Sequence, residues 1–370
     1  MAKLPVYGAF ERVAMIAGSF DGEVHDPLRR FAGSRRGEAL ELVELETGTV
    51  TTRVGGVDPR ARVRIDPTGT RVVVRHEAAL AIHDARGVIA EAATPTVRVA
   101  WNGERLAPGA PRPQWGYALD EVGFTHDGTH VWLATHGEAD GRACLQLYDR
   151  ELALVDTFTD LRSYSPYSVA EGEDFAPLGV WSEAWIEPQP ADPAWALAVS
   201  NAGDSCSAVI AFRVAEGRFV VDQEPLQRAV FAIDAHALRG VFVTPVTPEP
   251  ELLIVDGDHL LSLTSWPPTT PPRLDAVDPL EALRDDDHRV VIPFARGGEL
   301  EHGDVYVTDR ELLVGLVGES ASGYVALDLR TLAVLGVVNN PRGGDVLHVG
   351  HDRYITTHAR GATLWRLARR

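Results

Sequence analysis

Short alternating runs of apolar and polar residues, separated by Gly, Pro, Asp and Asn, occupy most of the chain, and long helical periodicity is almost absent. Residues 62–92 and 121–158 show the repeating unit most clearly. Each reads as strand, tight turn, strand, loop, strand, short turn and strand. Such a four-stranded meander is one blade of a β-propeller, in which blades repeat around a central axis. The sequence therefore predicts an all-β fold of four-stranded antiparallel blades.

Two turn signatures recur in these units. The first lies between the first and second strands, at Asp66-Pro-Thr-Gly69 and at His126-Asp-Gly128. The second ends the third strand and places Asp after a large side chain, as in His83-Asp84, Tyr148-Asp149 and Leu327-Asp328. With these turns the chain resembles the WD40-like and YVTN-type bacterial β-propeller repeat proteins over nearly its whole length. No repeat has the complete Trp-Asp pair or the opening Gly-His dipeptide, so the resemblance implies the architecture and no particular subfamily.

The position at the end of the third strand serves as a marker for counting blades. It recurs at Val43, His83, Tyr148, Phe212, Leu263, Leu327 and Trp365. We therefore predict a seven-bladed propeller that forms a single domain over residues 1–370. In the fifth blade, four prolines between 267 and 272 remove ladder donors from the fourth strand, so six blades are the alternative.

Closure of the ring admits two arrangements. Pro5–Phe10 and Val13–Gly18 can form the first two strands of the first blade, which leaves the last blade with three strands. Alternatively, Leu4–Phe10 supplies the outer strand of the last blade. We favour the three-stranded ending, because residues 306–312 repeat the turn chemistry of residues 8–13.

Surplus residues beyond a minimal blade form long insertions on one face of the propeller. They are predicted at about 20–37, 95–118, 161–178, 224–239 and 266–301. These connections all emerge on the same side of a meander, whereas the tight turns lie on the other side. One elaborated face over a rigid ring is typical of a binding surface.

Aromatic and polar residues in these connections are candidates for contact with a protein or peptide partner. They are Trp101, Trp115, Tyr117, Tyr164, Tyr167, Trp181, Asn201 and Asp256. Aromatic side chains line many partner-binding grooves. The alternative is that each aromatic fills the small core of its own loop.

Polar residues also recur where the second strand of a blade ends, at His76, His136, Asn201, Asp256 and His358. If they converged, His76, His136 and His358 could bind a divalent metal or act as general acid and base. This gives the alternative function of a propeller enzyme, a metal-assisted hydrolase, lactonase or lyase with its site at the mouth of the central channel. The other interpretation is that strand ends are simply polar.

No linear catalytic or nucleotide-binding motif supports the enzyme. The chain lacks a Walker loop, a G-x-G-x-x-G fingerprint, H-E-x-x-H, an EF-hand loop, zinc-ligand spacing and a G-x-S-x-G elbow. We therefore predict a non-catalytic interaction scaffold without a cofactor, and keep the enzyme, with a possible divalent metal, as the alternative.

The charge of the chain excludes two classes of partner. The formal net charge of −18 opposes binding to nucleic acid and to anionic membranes.

The location of the protein is predicted from its first residues. Pro5, Gly8 and Glu11 interrupt the apolar run that a secretory signal needs, so a cytoplasmic location is expected. Two cysteines, Cys144 and Cys206, are too few for a disulfide framework. The high Ala, Arg, Val and Gly content indicates a GC-rich bacterial genome. The oligomeric state is left open.

Overall fold

The structure is a computed structural model. It describes residues 5–76, 79–94, 121–137, 141–164, 175–179, 181, 185–189, 192–201, 207–231, 240–243, 251–255, 261–265, 301–308, 310–317, 322–341 and 346–370. The described strands are, in chain order, β1 (Val6–Ala17), β2 (Ser19–His25), β3 (Phe31–Arg36), β4 (Ala39–Glu44), β5 (Val50–Gly55), β6 (Arg62–Ile65), β7 (Val72–Arg75), β8 (Ala79–Asp84), β9 (Gly87–Ala93), β10 (Glu121–Phe124), β11 (Val131–His136), β12 (Ala143–Tyr148), β13 (Leu154–Phe158), β14 (Arg162–Tyr164), β15 (Phe175–Pro177), β16 (Trp185–Pro188), β17 (Trp195–Asn201), β18 (Ser207–Ala215), β19 (Arg218–Asp222), β20 (Gly240–Val243), β21 (Glu251–Val255), β22 (Leu261–Ser265), β23 (Glu301–Val307), β24 (Glu311–Val317), β25 (Ser322–Asp328), β26 (Val334–Asn339), β27 (Leu347–Gly350), β28 (Arg353–His358) and β29 (Gly361–Arg369). One helix, α1 (Glu224–Phe231), follows β19. No helix in these ranges is long and apolar enough to cross a bilayer.

The strands form antiparallel meanders in a propeller arrangement, which confirms the predicted all-β fold of four-stranded blades. The meanders β2–β5, β6–β9, β10–β13 and β16–β19 are each a separate four-stranded sheet. Among the first strands of these sheets, β6 contacts both β2 and β10, as the axial strands of neighbouring propeller blades do. Within the described ranges, four separate sheets of this kind compare with the seven blades predicted. The difference arises because β20–β22 form a three-stranded sheet and the remaining long strands join one eight-stranded sheet.

The eight-stranded sheet consists of two meanders that β1 joins. In it, β23–β26 lie on one side of β1 and β29, β28 and β27 on the other. β1 pairs antiparallel with β29 from Gly8 to Ala17, and its first residues pair in parallel with β26. The N-terminal strand is therefore the fourth strand of the last meander.

This pairing shows that the expected three-stranded ending is wrong. The alternative is correct in that the N-terminal segment supplies the outer strand, but the strand is Val6–Ala17 and not Leu4–Phe10. Val6–Ala17 is one continuous strand with an irregularity after Arg12, and not two strands joined by a turn at Glu11-Arg12. Glu11 and Arg12 instead pair with Arg366 and Trp365. Neither residue favours the positive φ that a two-residue hairpin turn requires, and β29 would otherwise have an open edge.

The hydrophobic core lies between neighbouring sheets. Separate buried clusters join β2–β5 to β6–β9, β6–β9 to β10–β13, and β10–β13 to β16–β19. A further cluster packs Ile16 and Val43 against Ile355 and Leu364, and so joins the first meander to the last. Among these described sheets, the apolar face of one is therefore covered by the next.

The expected insertion at 20–37 is also wrong, because most of it forms β2 and β3, which pair as a hairpin with an irregularity between Asp21 and His25. The turn between them uses the same chemistry as the turn at Asp66. The Asp26 carboxylate accepts the backbone N–H groups of Leu28, Arg30 and Phe31. The equivalent sequence signal, Asp followed by Pro, is present at both 26–27 and 66–67.

The other predicted insertions are described in part. Residues 95–118 lie outside the described ranges, and so do residues 266–300 of the insertion predicted at 266–301. The connection at 161–178 contains the two-stranded sheet β14–β15, and the connection at 224–239 contains α1.

Candidate interaction platform

The polar residues at second-strand ends occupy equivalent positions in their meanders. His136, Asn201 and His358 are the last residues of β11, β17 and β28, and His76 directly follows β7. Because the second strands of propeller blades run in the same direction, these ends belong to one face. We call it the long-loop face. Asp256 lies outside the described ranges.

The three histidines do not form a shared centre. His136 is 1% exposed, and its Nε2 accepts the backbone N–H of Trp181 at 3.2 Å. His358 is exposed, with its Nε2 3.5 Å from the hydroxyl of Thr363. In the part of the chain that the structure describes, which includes all three, no group of three His, Cys, Asp or Glu side chains could hold a metal ion. The structure thus gives no support to the metal or acid–base site predicted from His76, His136 and His358.

Trp181 is a core residue, so its predicted role in partner contact is wrong. It is 1% exposed and packs in the cluster between β10–β13 and β16–β19. Its indole N–H donates to the carbonyl of Cys144 at 3.4 Å. Trp101, Trp115, Tyr117 and Tyr167 lie outside the described ranges, and Asn201 forms the last pair of β17 with β18.

Tyr164 lies in a small structure formed by two insertions. Its ring packs edge-on against Phe175 of β15, with centroids 5.7 Å apart. The guanidinium of Arg228 in α1 lies 4.8 Å from the centre of the Phe175 ring. Strands β14 and β15 together with α1 are called the hairpin–helix platform below. It joins the connection after one four-stranded meander to the connection after the next.

Two glutamine side chains attach the hairpin to the helix. The Gln223 amide accepts the N–H of Arg162 at 2.9 Å and donates to the carbonyl of Asp160 at 2.8 Å. The Gln227 amide accepts the N–H of Tyr164 at 2.7 Å and donates to the carbonyl of Arg162 at 2.8 Å. Gln227 is completely buried. Four hydrogen bonds to backbone groups therefore fix the platform as one unit.

Ion pairs add little to this attachment. Arg162 lies 3.2 Å from Glu224 and 3.1 Å from Asp160, but its side chain is 40% exposed. Exposed pairs of this kind contribute about 0–1 kcal/mol. The four amide hydrogen bonds, two of which belong to the buried side chain of Gln227, carry more of the attachment, because a buried polar group left without a partner is costly.

A second polar group, which the sequence analysis missed, links the axial strands of three sheets. Arg64 of β6 pairs with Glu121 of β10 at 3.0 Å and donates to the carbonyl of Glu23 in β2 at 2.8 Å. Arg62 lies 3.3 Å from Glu121 and 2.8 Å from the Glu23 carboxylate. The signal in the sequence is the alternation Arg62-Val63-Arg64, which places both arginines on the same side of a short strand.

Comparison with known proteins assigns the chain to no family. No protein-family model matches the sequence, and no curated protein matches it. Among solved structures, the chain is similar to the Myceliophteria thermophila Cps50 (Swd1) beta-propeller domain, with a TM-score of 0.49 and 11% identity over 97% of this chain and 100% of that one. It is also similar to Kuenenia stuttgartiensis hydrazine synthase, with a TM-score of 0.41 and 12% identity over 99% of this chain and 96% of that one.

Proposed function

We propose that this chain is a non-catalytic interaction scaffold, a propeller that binds a protein or peptide partner on its long-loop face. The observation that carries the proposal is the hairpin–helix platform. Surface insertions that accumulate without a function are not expected to form hydrogen bonds with each other. In this structure, four amide hydrogen bonds join two separate insertions. A rigid insertion on a rigid scaffold is the usual design of a recognition surface.

The chemistry of the platform suits a peptide or protein surface. Tyr164 and Phe175 are half-buried, and Pro177 and Arg228 are exposed beside them. Aromatic residues and arginine are enriched among the residues that dominate binding at protein interfaces, and aromatic rings offer a large contact area at a small loss of conformational entropy. The net charge of −18 favours a basic partner at long range.

Seven blades are part of this proposal. Its support is that each marker position counted in the sequence lies in the third strand of a meander. The strands concerned are β4, β8, β12, β18, β22, β25 and β29. In this view the eight-stranded sheet is two blades that β1 and β26 join at one end, and β20–β22 belong to the fifth blade. A cytoplasmic location likewise stays a proposal, which fractionation of the tagged protein would test.

The enzyme alternative has less support. His76, His136 and His358 lie in separate meanders, and the described ranges contain no group of three metal-ligating side chains. If the chain is an interaction scaffold, its binding of a partner should instead depend on the hairpin–helix platform.

Affinity capture with the purified chain as bait, from an extract of its native host, would test the proposal. The partner is identified by mass spectrometry and its Kd is then measured with purified components. A Tyr164→Ala, Phe175→Ala double variant should weaken binding by at least about tenfold, as loss of an interface hot spot does. Val88→Ala, at an exposed position of β9, is the matched control and should bind like the wild type. Equal binding by both variants would contradict the role of the platform in partner binding. Turnover of a lactone or ester by the metal-loaded chain would favour the enzyme alternative.

A further inference from the structure

The first residues of β1 fasten the chain across two meanders. Val6, Gly8 and Ala9 pair in parallel with β26, whereas the strand from Gly8 onward pairs antiparallel with β29. Parallel pairs are slightly less stable per residue than antiparallel pairs. We infer that residues 5–9 form a strap, a conformational unit that opens from β26 and closes on it while residues 14–17 stay paired with β29.

The strap is held by few buried groups. Within it, only Gly8 is buried. The carbonyl of Pro5 accepts the N–H of Val337 at 3.0 Å, and the hydroxyl of Tyr7 donates to Glu311 at 2.8 Å. Segments with little buried apolar surface open at a lower free energy than the core of a fold. The strap is therefore the part of β1 that opens first.

The remainder of β1 is fixed more firmly. The ring of Phe10 packs edge-on against Tyr324 and Tyr354, with centroids 6.1 and 5.0 Å away. Ile16 is 4% exposed and lies in the cluster that joins the first meander to the last. Antiparallel pairs with β29 continue to Ala17. Opening therefore ends at Phe10, and the ring stays closed when the strap is open.

Gly336 is the seat of the strap on β26. It has φ +150°, and a methyl group there would lie 2.5 Å from the carbonyl oxygen of Pro5 and 3.1 Å from the Cβ of Tyr7. Two residues of the strap thus meet at one glycine. Because both depend on the same seat, losing that contact releases them together, and the strap opens as a unit instead of fraying one residue at a time.

Other fourth strands carry a side chain at the equivalent position. In β5, β9, β13 and β26 an irregularity interrupts the pairing with the third strand, and the next paired residues are Thr52, Ala90, Asp156 and Gly336. In the first three, Cβ and the atoms beyond it would occupy the space that the strap takes above Gly336. The sequence therefore directs the strap to β26.

The strap controls access to the outer edge of β26. When it is closed, the N–H of Val337 is paired with Pro5. When it is open, that group has lost this partner. Unpaired strand edges are where strands of other chains add, so the strap guards this edge.

Hydrogen exchange of full-length variants tests the inference. The reporters are the amides of Val337 and Arg370, which donate to carbonyls of the strap. Gly336→Ala should raise their exchange rates on the order of 100-fold. The amides that join residues 14–17 to β29 should exchange at the wild-type rate. Gly87→Ala is the matched control, because Gly87 has φ +121° at the start of β9 and its methyl group would enter open space. It adds backbone strain and should leave both reporters unchanged.

A second variant leaves the backbone of β26 intact. Tyr7→Phe keeps the ring and removes the hydroxyl bond to Glu311, so both reporters should exchange on the order of tenfold faster. This variant carries the test if Gly336→Ala does not fold. Equal acceleration of the reporters and of the pairs at residues 14–17 would overturn the inference, because β1 would then open as one strand. Unchanged reporters would also overturn it, as would an equal effect of Gly87→Ala.

Discussion

The guanidinium of Arg369 holds both carboxylate oxygens of Glu311, with nitrogen–oxygen distances of 3.0 and 2.8 Å. The same guanidinium also holds both oxygens of Asp352, at 2.9 and 2.6 Å. The hydroxyl of Tyr7 donates to Glu311 at 2.8 Å. These residues belong to β29, β24, the turn before β28, and β1, so one arginine joins the two meanders of the eight-stranded sheet.

Arg369→Met should destabilise the fold strongly. The Glu311 side chain is completely buried, and removing its cation leaves an uncompensated charge that costs about 3–5 kcal/mol. Arg366→Met is the control on the same strand, because Arg366 pairs with Glu11 where both side chains are more than half exposed. Its cost should be about 0–1 kcal/mol. Urea denaturation measures both, and equal losses would contradict a special role for Arg369.

Gly361→Ala should loosen the seam between β1 and β29. Gly361 has φ +147°, and a methyl group there would clash with the carbonyl of Ile16 in β1. We expect a loss of about 2–4 kcal/mol from strain and displaced backbone. Gly55→Ala places its methyl group in open space at an ordinary φ and should change the free energy of unfolding by less than about 0.5 kcal/mol. Thermal unfolding of the two variants distinguishes the outcomes.

Asp66→Ala should cost about 2–3 kcal/mol, because this buried carboxylate accepts N–H groups of Thr70 and Arg71 and the hydroxyl of Thr68. Asp58→Ala removes an exposed carboxylate that accepts a single N–H group, from Arg60, and should cost about 0.5 kcal/mol. Similar losses for both, in chemical denaturation, would mean that the blade turn does not depend on its buried aspartate.

Acid should weaken the fold through two histidines. Burial lowers the pKa of His83, whose Nδ1 is buried without a hydrogen-bond partner, from its usual 6.5. Burial also lowers the pKa of His348 to about 4, aided by Arg29 and His351 and opposed by Asp352 and the His351 carbonyl. His348 packs between Tyr306 and Tyr354, with ring centroids 5.3 and 5.1 Å away.

The sign of this effect follows from proton uptake. Below pH 6.5 the unfolded chain protonates these histidines more readily than the folded chain does, so the stability that each neutral histidine contributes is present above pH 6.5 and is lost as the pH falls below it. For His348 this loss continues down to about pH 4. His83→Phe, which introduces an aromatic ring like those at Tyr148 and Phe212, should flatten the pH dependence of the free energy of unfolding below pH 6.5. A slope equal to that of the wild type in the His83 variant would refute the assignment.

The sequence predicts the parts of the fold that local patterns specify. Turn chemistry identified Asp66, and the marker positions from Val43 to Trp365 all fall in third strands. Asp26 carried the same Asp-Pro signal and was missed because the hairpin around it was interpreted as an insertion. The sequence of β1 could not decide closure, because its continuity depends on an edge that β29 presents about 350 residues later.

The candidate site was less predictable for a related reason. Trp181 and Tyr164 look alike in the sequence, yet one fills the core and the other lies on the platform. The amide contacts of Gln223 and Gln227 join positions more than 60 residues apart, and no spacing rule encodes them. Strand periodicity reports the faces of a sheet and not which side chains from distant connections meet above it.

The pairing of β1 with β29 also determines how the ring would respond to mechanical load. Gly8 lies opposite Arg369, and the N–H of Arg370 donates to the carbonyl of Tyr7 at 2.9 Å. A pulling force applied at residues 8 and 369 would act across the ladder and open its hydrogen bonds one after another, like a zipper. The seam would yield at a lower force than a sheared pair of equal length, with the Arg369 contacts to Glu311 and Asp352 breaking among the first.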